Sequence, residues 1–138
     1  MIIRCALILR IAAEDAGLPV RDLVADKRDE PTALARHRAF YLARTLRADL
    51  SLPQIGRHMG GRDHTTVLHG VRRIAERVVN DTDGEARRME RLRARLVLAA
   101  SMDVPTNDLV SALDAAIEAA EFRLAAVREA RAKIAEGF

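Results

Sequence analysis

Three observations predict an all-α fold. Apolar residues recur at spacings of three and four along the long segments, and no segment shows the convincing alternation of a half-buried strand. Glycines and prolines are few and fall in clusters between those segments. With one Tyr, three Phe and no Trp in 138 residues, the core must be built from Leu, Val, Ile and Ala, which suits helices. The length fits one domain with an appendage.

Ile2–Ala16 is apolar around most of its circumference and stops at Gly17, with Pro19 beyond, as a buried helix does. Val20–Ala25 makes one short helical turn, and Asp26–Pro31 reads as a charged loop. Thr32 opens a second long helix to about Ala48, with Leu34, Phe40, Tyr41, Leu42 and Leu46 on its apolar side. Ser51-Leu52-Pro53-Gln54 has the capping-box pattern and starts a short helix that Gly60-Gly61 breaks. From Asp63 to Val79 the stripe Val67, Val71, Ile74 and Val78 marks the next helix. Asn80–Gly84 is a turn, and Glu85–Ala100 a helix with Met89, Leu92 and Leu96 inside. After the break at Asp103–Asn107, Asp108–Ala135 reads as an added long C-terminal helix. The predicted organisation is a domain over residues 1–100 and an amphipathic element over 101–138.

Charge is distributed unevenly. Residues 1–100 hold 19 Lys and Arg against 13 Asp and Glu, a net of +6, whereas residues 101–138 carry a net of −3. Arg36–Arg73 alone has eight Arg against two Asp, which points to an anionic partner. The single cysteine, Cys5, lies in an apolar stretch and has no disulfide partner in the chain, as in a reducing cytoplasm. Arg10, Glu14 and Asp15 argue against reading the apolar start as a signal peptide. No run approaches membrane-spanning length, so the expected location is the cytoplasm, on the nucleoid.

The run Gly60-Gly61-Arg62-Asp63-His64-Thr65-Thr66-Val67-Leu68-His69 joins a tight turn to a helix with an apolar back, and with Ser51–Gly56 it lays out a helix-turn-helix. Such a helix enters the major groove end-first, so its first residues reach base edges. Asp63 can accept from a cytosine amino group, His64 can donate, and Thr65 offers a hydroxyl and a methyl. Thr65, His69, Arg72 and Arg73 fall opposite the apolar stripe, which puts His69 and Arg72 within reach of phosphates. The start of the preceding helix is itself an anion site through its free amides. Taken singly, Asp63 reads equally well as a plain N-cap, His64 and His69 as surface histidines, and Thr66 as a cap. A second basic element, Ala35-Arg36-His37-Arg38, offers Arg36 for the minor groove.

These residues carry a resemblance. Leu34-Ala35-Arg36, Tyr41-Leu42-Ala43-Arg44, Ser51–Gly56 and Gly60–His69 resemble the C-terminal DNA-binding domain, domain IV, of the bacterial replication initiator DnaA, over roughly residues 3–98. The resemblance implies a Trp-repressor-like helix-turn-helix that binds duplex DNA at a DnaA box of the type TTATNCACA. It implies base reading by Asp63, His64 and Thr65 and minor-groove insertion by Arg36. It puts phosphate contacts on Ser51, Leu52, Pro53, Arg62, Thr66 and His69, and the basic side chains Lys27, Arg28, Arg38 and Arg72 are assigned to the phosphate backbone with them. His37, and Asp29-Glu30-Pro31 in a stretch that is often basic in the family, are departures from its pattern.

The sequence holds no Gly-x-x-x-x-Gly-Lys-Ser/Thr phosphate loop, so neither ATP nor any other cofactor is expected. A metal-dependent nuclease built on His58, His64, His69 and Asp63 is disfavoured, because His64 and His69 are five apart and diverge on a helix. No metal site and no enzyme activity are expected. In the tail, Val110, Leu113, Ile117, Ala120, Leu124, Val127, Arg131 and Ile134 follow a heptad seam. That seam serves equally as a homodimer coiled coil over residues 108–135 or as a layer folded back on the domain. The leading function is a non-enzymatic, sequence-specific DNA-binding protein that regulates transcription or competes with the initiator at its sites. The alternative is an adaptor whose C-terminal helix recruits a partner protein.

Overall fold

The computed structural model describes residues 2–102 and 128–129. The predicted helix over residues 108–135, with its seam, lies outside the described residues apart from that dipeptide. Six α-helices and no strand occur among the described residues. They are α1 (Cys5–Ala16), α2 (Val20–Val24), α3 (Glu30–Leu46), α4 (Leu52–His58), α5 (His64–Val79) and α6 (Glu85–Met102), with a single 3-10 turn at Thr82–Gly84.

Most boundaries follow local chemistry. Gly17 adopts the left-handed conformation (φ 69°) and closes α1 by donating to Glu14, while Leu18 donates to Ala13. The third helix starts at Glu30, two residues before the predicted Thr32. Asp29 caps it by accepting from the Thr32 amide at 3.3 Å and its hydroxyl at 2.7 Å, and Pro31 fits in the first turn. The first helix begins at Cys5 rather than Ile2, with no side chain capping it.

Helix α3 is the spine, packed against each of the other five. Ala35, Ala39 and Ala43 form a fully buried small-residue row at i, i+4, i+8, which lets neighbouring backbones come close. Phe40 and Leu42 join Ile8, Leu23, Ile55, Met59, Val67, Ile74, Leu92 and Leu96 in one core. The predicted stripes of α5 and α6 face inward: Val67, Ile74, Met89, Leu92 and Leu96 are buried, and Val71 and Val78 pack against them.

One charged group lies wholly inside. Glu85, the first residue of α6, is 0% exposed and accepts a two-pronged bond from Arg38, with Nε–Oε1 at 2.8 Å and Nη2–Oε2 at 3.0 Å. This corrects the assignment of Arg38 to DNA phosphate: its guanidinium joins α3 to α6 in the interior. Two further pairs, Arg88–Asp15 at 3.0 Å and Arg95–Glu14 at 2.9 Å, tie α6 to α1 nearer the surface. Removing one partner of a buried pair leaves the other charge uncompensated, whereas replacing both with apolar groups relieves that cost. Arg77 also lies 3.8 Å from Glu85, so Glu85→Ala should lower stability by about 3–5 kcal/mol, and Arg38→Met with Glu85→Leu should recover only the part of the loss that belongs to Arg38. Urea unfolding midpoints of the three proteins check this.

Candidate nucleic-acid interface

Close backbone contact shapes the turn between α4 and α5. The Arg62 amide donates to the Gly56 carbonyl at 2.9 Å, and a Cβ on Gly56 would sit 2.0 Å from the Arg62 carbonyl oxygen. Only glycine lets the turn cross α4 there. Gly60 is bound twice over: its φ is +96°, and a Cβ on it would come within 2.6 Å of the Val24 carbonyl oxygen. Met59, fully buried beneath the turn, anchors it to the core.

On α4 the capping box forms as the sequence predicts, with Ser51 N donating to Gln54 Oε1 at 2.8 Å and Gln54 N to Ser51 Oγ at 3.3 Å. It also consumes the amides that were to bind an anion. With Pro53 lacking an N–H, the Leu52 amide is the one left in that first turn for a phosphate. Helix α5 is capped by Asp63, whose Oδ1 accepts from the Thr66 amide at 2.8 Å. That bond is the main reason its carboxyl is held below the usual carboxylate range. His64, Thr65, Thr66, His69 and Arg72 are all exposed on α5.

Two arginines assigned to DNA are occupied within the protein. Arg36 is 6% exposed and donates to the carbonyls of Leu23 (2.7 Å), Asp22 (3.3 Å), Ala25 (2.9 Å) and Lys27 (2.8 Å). An arginine held by four carbonyls is a brace and not an arm free to enter the minor groove, which corrects that assignment. Arg62 reaches the same segment, donating to Val24 at the end of α2 at 3.4 Å and to Ala25 in the loop after it, with Asp26 at 3.6 Å. Its side chain secures the loop to the helix-turn-helix, so the phosphate role given to it is corrected as well. The loop so held carries Lys27 and Arg28 outward, both exposed, with Lys27 3.2 Å from Asp22 and Arg28 3.6 Å from Asp26.

The sequence put Arg73 with the outward residues, but it turns toward α3. Its Nη2 donates to Glu30 Oε1, and its Nη1 lies 3.3 Å from His37 Nδ1. His37 is buried, its ring 5.8 Å from that of His69 in an edge-on arrangement and 6.1 Å from Phe40. Gly70 admits this ring, since a Cβ there would meet His37 Cδ2 and Phe40 Cδ2 at 2.8 Å. Burial, aided by the charges of Arg73, His69 and Arg36, pushes the His37 pKa down to about 4. The neutral ring therefore accepts from Arg73 at Nδ1. Sequence reasoning gave no role to this Glu30–Arg73–His37 cluster, whose members meet only through the crossing of α3 and α5.

Among the described residues, no group of three His, Cys, Asp or Glu is placed to hold a metal ion. No helix among them is long and apolar enough to cross a membrane. A short capped helix, a tight turn crossing it at a glycine, and a second capped helix with an exposed polar end define a DNA-binding helix-turn-helix domain. The family described as bacterial dnaA protein helix-turn-helix matches residues 5–74, and the chain belongs to it. Its relatives include the chromosomal replication initiator protein DnaA of Oenococcus oeni, 46% identical over 74 residues. Those of Cereibacter sphaeroides and Rhizobium johnstonii are 45% identical over 75 residues and 44% over 80. The matches cover 54–58% of this chain and 16% of each relative, so the chain spans a small part of the length of the curated relatives it matches.

The neutral His37 gives a pH dependence. Between its folded pKa of about 4 and its ordinary 6.5, the unfolded chain binds the proton and the folded chain does not, so stability rises with pH across that window. The carboxyls of Asp29, Asp49 and Asp63, all held low, act below it. Stability should fall by about 2–3 kcal/mol from pH 7 to pH 4.5, and His37→Gln, which keeps an acceptor for Arg73, should flatten the fall. Urea midpoints at the two pH values measure it.

Proposed function

We propose that the chain is a sequence-specific duplex-DNA-binding protein with a preference for DnaA-box sites of the type TTATNCACA. It acts without ATP or catalysis, as a transcriptional regulator or as a competitor of the initiator at its sites, in the cytoplasm on the nucleoid. The observation that carries this reading is the exposed polar end of α5 behind the Gly60-Gly61 turn. In it, Asp63, His64 and Thr65 read base edges. Lys27, Arg28, Ser51, Leu52, Pro53, Thr66, His69 and Arg72 lie against the phosphate backbone. Asp63 serves as cap and reader together. Arg36, Arg38 and Arg62 contribute by holding the scaffold.

The chain should bind a box-containing duplex more tightly than a scrambled one without nucleotide. On a log–log plot the affinity should fall with salt at a slope of about −4 to −7, from roughly five to eight phosphate contacts. His64→Ala should cost about 1–3 kcal/mol on the box and little on scrambled DNA, while Arg72→Ala should weaken both alike. Fluorescence anisotropy across a salt series reads both effects. Equal affinity for the two duplexes at moderate salt contradicts sequence specificity.

Residues 108–135 enter the reading as a homodimerisation element on the strength of their a/d spacing alone. The intact chain should then sediment as a dimer and bind paired boxes cooperatively, and Leu113→Asp with Ile117→Asp should yield a monomer that still binds one box. A monomeric intact chain removes this part of the proposal.

A further inference from the structure

Glu30 stands where the loop that carries Lys27 and Arg28 runs into α3, and its carboxylate accepts from Arg73 of α5. Its side chain is 66% exposed, and Arg73 is the one partner of its carboxylate among the described residues. Arg73 lies one helical turn after His69 and next to Arg72, the two residues assigned to phosphate at that level of α5. We propose that Glu30 occupies Arg73 in place of a DNA phosphate, so that this carboxylate sets the general affinity of the reader for duplex DNA. The inference rests on the DNA-binding reading and deepens it.

The geometry leaves the pair open to exchange, with both side chains partly exposed. Arg73 is 28% exposed at its side chain, so a phosphate arriving along α5 can reach the guanidinium without unfolding anything. His37 supports the guanidinium from behind through Nδ1 at 3.3 Å, and a neutral ring adds no competing charge. An ion pair this open to water is weak, whereas a phosphate neutralised by an arginine also releases a condensed counterion. Asp29 adds a second negative charge at the same corner, fixed by its bonds to Thr32. Together the two carboxylates oppose a phosphate backbone that approaches the loop. Because a phosphate carries no sequence information, the restraint acts equally on every sequence.

The test compares the full chain with Glu30→Gln, Arg73→Ala and the double variant, on box and scrambled duplexes from 50 to 200 mM salt. Urea midpoints are measured beside the binding. Glu30→Gln should bind both duplexes about 3–10-fold more tightly, with the salt slope steeper by about one unit and the ratio between duplexes unchanged. In the Arg73→Ala background the same change should give no steeper slope. An unchanged or weaker affinity for Glu30→Gln overturns the proposal, and a lower urea midpoint beside it leaves the pair as a pin between α3 and α5. Failure of the parent chain to bind either duplex overturns the DNA-binding reading itself, and this inference with it.

Discussion

Two guanidiniums held against the end of α2 and the loop that follows it are the constraint on which the rest depends. Arg36, from the spine helix, and Arg62, from the helix-turn-helix turn, share the carbonyl of Ala25, and between them they engage five carbonyls from Asp22 to Lys27. Burial and the nearby Arg62 charge both lower the Arg36 pKa, which marks the cost of placing like charges together. The five carbonyl dipoles offset that cost, and the loop in turn has its carbonyls satisfied. Without Arg36 the carbonyls of Asp22, Leu23 and Lys27 lose this donor and the segment its tie to α3, and without Arg62 the carbonyl of Val24 loses its donor and the segment its tie to the turn. The segment carrying Lys27 and Arg28 and the turn leading to His64 are thus positioned together.

Close backbone approach does the same work inside the reader. Gly56 admits the turn across α4, Gly60 fits against Val24, and Gly70 admits His37 and Phe40 under α5. At each place a Cβ would collide with a neighbour at under 3.0 Å, twice with backbone that has little room to yield. The glycines let α4, α5 and α3 pack with the polar end of α5 outward. The way the polar end of α5 is presented is therefore decided by absent side chains as much as by those that make contact.

Much of this was legible in the sequence. Six helices, the capping box at Ser51–Gln54, the Gly-Gly turn and the inward stripes all rest on spacing within about four residues, which a linear reading carries. The start of α3 was missed because Asp26–Pro31 is dense in charge and proline, and only the Asp29 cap reveals that Pro31 sits in a helical turn. What local pattern cannot supply is the partner of a distant charge. Arg36, Arg38 and Arg62 look like a basic surface in sequence, yet their partners are carbonyls of α2 and the loop after it 9–14 residues away, Glu85 at a separation of 47, and carbonyls at 37 and 38. Residues 35–40 of α3 are buried without a break, since neighbours cover this stretch of the helix on all sides. The outward face of a spine helix cannot be inferred from its own periodicity.

The central claim is that the outward end of α5, with the loop braced beside it, forms the DNA-facing surface. Amide chemical-shift mapping of the isotopically labelled chain, titrated with a duplex carrying TTATNCACA, tests it most directly. The account predicts shifts concentrated at Lys27–Asp29, Ser51–Gln54 and Asp63–Arg73, with the arginine-bearing face of α6 silent. Shifts centred instead on Arg87, Arg91 and Arg95 of α6, with α5 unchanged, would contradict it.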